Sequence, residues 1–213
     1  MDSMATVDSI LSLTKLIPVI VIDDHRHAVR LGRALVNAGL PVAEVTLRTP
    51  QSWQAIESMR EVEGLQLGVG SVKSASDIKR AKEIGVSFAV SPGFTTDIGK
   101  AAIELELPFF PGVSTPSEIL SAMSSGFSVL KWFPSESLGG VSTLKAVAAP
   151  FPGLRFIPTG GIGLENVHRY LEMDCVAAVG GSWMVSREKL KTEKFDEIEV
   201  DIRNAVSIVG RNV

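Results

Sequence analysis

"VIDDHRHAV", residues 21–29, overlaps the end of a first β-rich run, "IPVIVI" (17–22), and contains no glycine. An open, doubly wound sheet usually carries a glycine-rich phosphate fingerprint at this first βα turn. Seven further β-rich runs follow: "VAEVTLR" (42–48), "QLGVGSV" (66–72), "FAVSPG" (88–93), "FFPGVS" (109–114), "VLKWFP" (129–134), "RFIPTGG" (155–161) and "AAVGGS" (177–182). They recur about every 20–25 residues, which suits alternating βα units. Eight such units without the fingerprint predict an α/β fold, a closed (β/α)8 TIM barrel with an N-terminal helix.

Helix-period segments lie between the runs. Ala28, Leu31, Leu35 and Ala38 share one face of a first helix that stops at Gly39, a residue suited to a left-handed cap. Thr49 with Pro50, "SASD" (74–77) and "TPSE" (115–118) offer three further helix starts, each a capping hydroxyl followed by proline or an acid. No linker, charge block or low-complexity tract divides the 213 residues, so one domain spanning 1–213 is expected.

The totals exclude several classes. An apolar fraction of 45% fills an ordinary globular core, and a net charge of −3 without a basic stripe argues against a nucleic-acid partner. One cysteine, Cys175, leaves no disulfide within the chain. The opening "MDSMATVDSI" lacks a basic signal region, and "LIPVIVI" (16–22) is too short to cross a bilayer, so the expectation is a cytoplasmic protein with no membrane partner. His25, His27 and His168 do not combine with a carboxylate at strand ends, so neither a metal nor a cofactor is expected.

Strand side chains alternate between faces. In the second run Ala43, Val45 and Leu47 form the apolar set, leaving Glu44, Thr46 and Arg48 on the other side. In the sixth, Leu130 and Trp132 belong against helices, which turns Lys131 and Phe133 inward. An amine, a carboxylate and a guanidinium then share one interior, near the strand ends where such barrels do chemistry. A buried lysine with no carboxylate in its own sequence neighbourhood before Glu136 is costly to charge, and a neutral amine is a nucleophile. The bland alternatives are a structural Glu44–Arg48 pair and a Lys131 that snorkels from a strand end. Lys73, just before the Ser74 cap, is a rival amine placed toward solvent. "PTGGIG" (158–163) and "GGSW" (180–183) follow the last two strands, where such barrels often bind phosphate; two tight turns would leave the same trace.

The motifs "EVTLRT" (44–49), "SPG" (91–93), "PGVST" (111–115), "KWFPSE" (131–136), "PTGGI" (158–162) and "GGSW" (180–183) resemble, in order and spacing, the family of 2-keto-3-deoxy-6-phosphogluconate and 4-hydroxy-2-oxoglutarate aldolases. The resemblance implies a class I lyase that splits 2-dehydro-3-deoxy-6-phosphogluconate into pyruvate and glyceraldehyde 3-phosphate. It implies Lys131 as the Schiff-base lysine and Glu44 as the acid/base. Arg48 and Ser71 would hold the pyruvyl carboxylate, Pro92 and Phe133 would wall the pocket, and Thr159 would bond the substrate. Gly160, Gly161, Gly180, Gly181 and Ser182 would surround the phosphate. The family's usual Gly-Thr-Val and Lys-Phe-Phe-Pro-Ala read here as "GSV" (70–72) and "KWFPS" (131–135). A homotrimer is implied as well. The alternatives are 4-hydroxy-2-oxoglutarate as main substrate, giving pyruvate and glyoxylate, or a non-catalytic sugar-phosphate-binding barrel.

Overall fold

A computed structural model describes residues 10, 11 and 14–210. Among these residues nine parallel strands are interleaved with helices. In chain order they are β1 (Leu16–Ile20), β2 (Val42–Thr46), β3 (Gln66–Gly70), β4 (Phe88–Val90), β5 (Phe109–Phe110), β6 (Gly112–Val113), β7 (Val129–Trp132), β8 (Arg155–Pro158) and β9 (Val179–Gly181). The helices are α1 (Ala28–Asn37), α2 (Ser52–Met59), α3 (Ala75–Ile84), α4 (Thr96–Glu104), α5 (Pro116–Ser124), α6 (Gly140–Ala148), α7 (Val167–Leu171), α8 (Arg187–Lys191) and α9 (Phe195–Gly210). All eight expected β-rich runs contain strand. Of the N-terminal helix, Ile10 and Leu11 are helical, and its remainder lies outside the described residues.

The strands do not form the unbroken eight-stranded ring that the sequence suggests. Six pair in the order β5-β4-β3-β2-β1-β9, and three in the order β6-β7-β8. The fifth run is split at Pro111, which has no N–H to give a ladder. The next donor, Gly112 N, turns to the Ser91 side-chain oxygen at 3.2 Å. Pro111 still accepts from Lys131 N at 2.8 Å, which keeps the broken run against β7. On the other flank, bridges between Phe156 and Val176 and between Thr159 and Gly180 link β8 to the segment leading through β9. An α/β fold of parallel strands curved into a half-barrel is the result.

Most of the helix starts follow the sequence. Ser74 accepts from Asp77 N at 3.1 Å, and Thr115 with Glu118 forms a reciprocal capping box with Pro116 in the first turn. α2 differs. Its cap is Gln51, because the Thr49 hydroxyl donates instead to the Ile22 carbonyl at 2.6 Å and ties the end of β2 to that of β1. The core between strands and helices is apolar, with Leu130 and Trp132 buried on the helix side of β7. Phe88 lies across Gly68, where an added Cβ would stand 2.1 Å from the ring. Among the described residues no helix is long and apolar enough to cross a membrane.

Candidate active site

β2 and β7 bring their inward residues together. The Lys131 Nζ donates to Glu44 Oε1 at 3.0 Å and to Oε2 at 3.4 Å, and each side chain is only 4% exposed. The lysine is therefore not unpaired. Its partner lies 87 positions earlier in sequence, at the same level of the strands. A buried pair of this kind is poor evidence for stability, since desolvating both charges offsets most of their attraction. Room for the carboxylate comes from β3: a Cβ on Gly70 would lie 2.2 Å from Glu44 Oε1. The Phe133 ring centroid stands 5.5 Å from the lysine nitrogen.

Arg48 and Ser71 also meet, as expected, with Arg48 Nε donating to Ser71 Oγ at 3.2 Å. Ser71 holds a φ of 61°, a left-handed backbone that a serine adopts at some cost. This conformation delivers its hydroxyl to the arginine. Arg48 is exposed and pairs with Ser71, whereas Glu44 pairs with Lys131, so the Glu44–Arg48 ion pair considered from sequence gives way to these contacts. Lys73 is exposed, as its place before the cap suggested.

A cavity of about 280 Å³ opens beside this pair. Arg48, Phe133, Thr159, Gly160, Gly161, Gly181 and Ser182 line it, along with Val19, Ile162 and Arg187. Lys131 and Glu44 are not in its wall, although Phe133, whose ring stands 5.5 Å from the lysine nitrogen, is. Pro92 is not in the wall either: it is exposed at the end of β4, its carbonyl close to Gly112. Gly180 is buried, and its missing side chain makes room for Thr159, whose Oγ1 would sit 2.2 Å from an added Cβ. Gly181 does the same for the Trp183 ring, at 1.6 Å. Gly160 and Gly161 turn with φ of 103° and 76°, conformations that glycine adopts freely. The late glycines thus serve close packing as much as ligand approach.

Sequence reasoning missed two elements of the site. The first is a brace behind the Gly160–Gly161 turn. Ser135 Oγ donates to Tyr170 Oη at 2.9 Å, and that hydroxyl in turn donates to Glu136 Oε1. Glu136 N donates to Gly160 O at 3.0 Å, and Ser135 N to Thr159 O at 2.8 Å. The chain leaving β7 is thereby fastened to the chain leaving β8. Burial and the adjacent Glu136 push the Tyr170 phenol up to about 12. The only signals were a serine where the family motif has alanine and the chain's single tyrosine.

The second is Arg187, which opens α8 and forks onto Asp23. Its hydrogen bonds hold the Asp23 carboxyl below the ordinary carboxylate range, against an opposing effect of burial. Among the described residues no group of three or more His, Cys, Asp or Glu side chains is arranged to hold a metal ion.

A buried lysine paired with a carboxylate inside a parallel α/β half-barrel, near a cavity lined by arginines and glycine turns, is the kind of site that lysine-dependent chemistry on carbonyl compounds uses. Comparison with known proteins narrows that class. Residues 7–200 match the KDPG and KHG aldolase family, and the chain belongs to it, a family of lyases. It is 42% identical over 200 residues to the KHG/KDPG aldolase of Escherichia coli (strain K12), covering 93% of this chain and 94% of that one. The 2-keto-3-deoxy-6-phosphogluconate aldolase of Zymomonas mobilis ZM4, solved with 3-phosphoglycerate, superposes with a TM-score of 0.90 at 39% identity, covering 95% of each chain. The KDPG aldolase of Legionella pneumophila, solved with pyruvate captured as a covalent carbinolamine, gives a TM-score of 0.87 at 36% identity over 93% of this chain and 96% of that one.

Proposed function

We propose that the protein is a class I aldolase that cleaves 2-dehydro-3-deoxy-6-phosphogluconate into pyruvate and glyceraldehyde 3-phosphate, with Lys131 as the Schiff-base lysine and Glu44 as the acid/base. The observation that carries this reading is the 3.0 Å contact between two buried groups of opposite proton affinity. Glu44 is placed to take the proton that Lys131 must lose before its nitrogen can attack the C2 carbonyl. The resulting carbinolamine loses water, and the iminium becomes a sink for electrons. A base then removes the C4 hydroxyl proton, the C3–C4 bond breaks, and its electron pair enters the enamine as the aldehyde leaves. Glu44 returns a proton to C3, and water hydrolyses the iminium to release pyruvate and the free amine.

The Arg48 fork, steadied by Ser71, suits the planar carboxylate at C1. Phe133 screens the iminium from solvent, and Thr159 offers a hydroxyl to the substrate. The turn Gly160–Gly161 with Gly181 and Ser182 takes the phosphate end, while Gly180 acts through Thr159. Pro92 closes the pocket only if its loop approaches the bound substrate. The two bridges from β8 toward β9 and the Lys131 N–Pro111 O bond, which link the two sheets at their flanks, support a closed (β/α)8 barrel in a single domain over 1–213. Exposed Ile103, Leu120 and Met123 on the packed pair α4 and α5 support the homotrimer that the family resemblance implies. A cytoplasmic location fits the substrate class.

The experiment is borohydride reduction of the protein in the presence of pyruvate, followed by peptide mapping. A stable adduct on Lys131 is expected. A folded, pyruvate-exposed sample with no adduct would sink the aldolase reading, and an adduct on Lys73 would move the chemistry to that residue.

A further inference from the structure

Two arginines line the cavity, and only Arg48 has a part in the reading above. Arg187 lines the same cavity as Gly160, Gly161, Gly181 and Ser182, and it follows Ser182 in the chain leaving β9. Its orientation is fixed: Nε donates to Asp23 Oδ2 at 2.8 Å and Nη2 to Asp23 Oδ1 at 2.6 Å. Asp23 follows β1, which pairs directly with β9, so the guanidinium is anchored by a residue at the end of the neighbouring strand. Lys191, one turn on, approaches the same carboxylate at 3.5 Å. Two cations share one anion, which leaves a net positive charge.

A guanidinium has five N–H donors in a rigid plane. The fork onto Asp23 uses two of them, leaving three for a ligand. A side chain already held in one geometry loses little freedom when a ligand arrives. Arg48, at the Ser71 end, is committed to the carboxylate beside the reacting carbon. A dianionic phosphate several bonds away favours a second cation, and Arg187 is the other arginine lining the cavity. A surface ion pair with Asp23 would satisfy the local geometry equally well, but it would have no effect on which substrate is used.

We propose that Arg187, oriented by Asp23, binds the phosphate at the non-reacting end of the substrate and sets the preference for phosphorylated over unphosphorylated 2-keto acids. This rests on the aldolase reading and deepens it. The test compares the wild-type protein with Arg187→Gln and Arg187→Lys. One readout is kcat/KM for 2-dehydro-3-deoxy-6-phosphogluconate relative to 4-hydroxy-2-oxoglutarate. The other is the dissociation constant for 3-phosphoglycerate, measured by calorimetry beside glycerate.

Arg187→Gln should lower the substrate ratio by about ten- to a hundredfold, through KM, and weaken 3-phosphoglycerate by a similar factor. Arg187→Lys keeps the charge without the fork and should recover part of each. An unchanged ratio, or equal losses on both substrates, overturns the assignment. If pyruvate still traps on Lys131 while wild-type protein binds 3-phosphoglycerate no better than glycerate, the Arg187 proposal fails alone. If neither trapping nor turnover occurs, the aldolase reading fails, and 3-phosphoglycerate binding then decides the role of Arg187 by itself.

Discussion

The two ends of the site are built differently. At the inner end, Lys131 and Glu44 are side chains on strands, 4% exposed, each fixed by the other. At the outer end, Gly160, Gly161, Ser182 and Arg187 belong to loops and a short helix around an open cavity. At the inner end the β2 and β7 backbones set the spacing of the two groups. The outer end, to which the proposal assigns the choice of substrate, has its parts held by neighbours outside the cavity: Asp23 for Arg187, and Tyr170 for the glycine turn. In the proposed aldolase, a rigid inner pair with a braced outer wall would separate the chemistry from the choice of substrate.

That separation can be broken most severely at Lys131. Lys131→Met should lower kcat by about 10⁵-fold or more, since a missing nucleophile disables the whole unit. It also leaves Glu44 buried without a partner, costing about 3–5 kcal/mol in denaturant unfolding. Adding Glu44→Gln to Lys131→Met should restore much of that stability and none of the activity. Glu44→Gln alone should cost ~10²–10⁴ in kcat, as expected for a positioned acid/base. Stability rising in the double variant together with activity would show that the pair is not what limits the chemistry.

Gly70→Ala comes next. Its methyl would meet Glu44 Oε1 and displace the carboxylate from Lys131, so kcat should fall more than KM changes, with a loss of about 1–3 kcal/mol in stability. A KM effect alone would place Glu44 in binding. Tyr170→Phe acts on the outer end and should lower stability by about 1–3 kcal/mol, because Ser135 loses its acceptor and Glu136 its donor. Its kinetic effect should appear in KM for the phosphorylated substrate, with kcat nearly intact. A drop in kcat of the Gly70→Ala kind would show that the brace reaches the inner end.

The smallest effect is a pH dependence. Tyr170 is the chain's only tyrosine, so absorbance at 295 nm follows it alone. Its phenol should ionise near pH 12 in the folded protein, against about 10 once unfolded. The folded state holds that proton more tightly, so this contribution to stability is complete below about pH 10 and is lost as the pH climbs toward 12. Ionisation near pH 10 in the native protein would mean that the brace is open in solution.

The inner end was the legible one. Period-two alternation in "VAEVTLR" and "VLKWFP" is enough to put Glu44 and Lys131 on one side, because each side chain's face follows from its place in the strand. Alternation says nothing about distance across the barrel, so Lys131 read as unpaired. The break at Pro111 hides inside an apolar run whose residues all favour strands. Thr49 looked like a cap because local chemistry cannot show that Ile22, 27 positions away, takes its hydroxyl. Pro92 outside the cavity wall, Gly180 making room for Thr159, and Arg187 turned by Asp23 are all products of packing between distant loops. No periodicity in the sequence reports such contacts.

The empty space at Gly70 also has a consequence for how this protein can change. Positions 44 and 70 should behave as an epistatic pair: a side chain at 70 needs the Glu44 side chain to move or to be shortened, for instance by Glu44→Asp. That first step draws the carboxylate away from Lys131. Every mutational route that fills Gly70 therefore passes through an impaired enzyme, and a library that varies position 70 alone samples only losses.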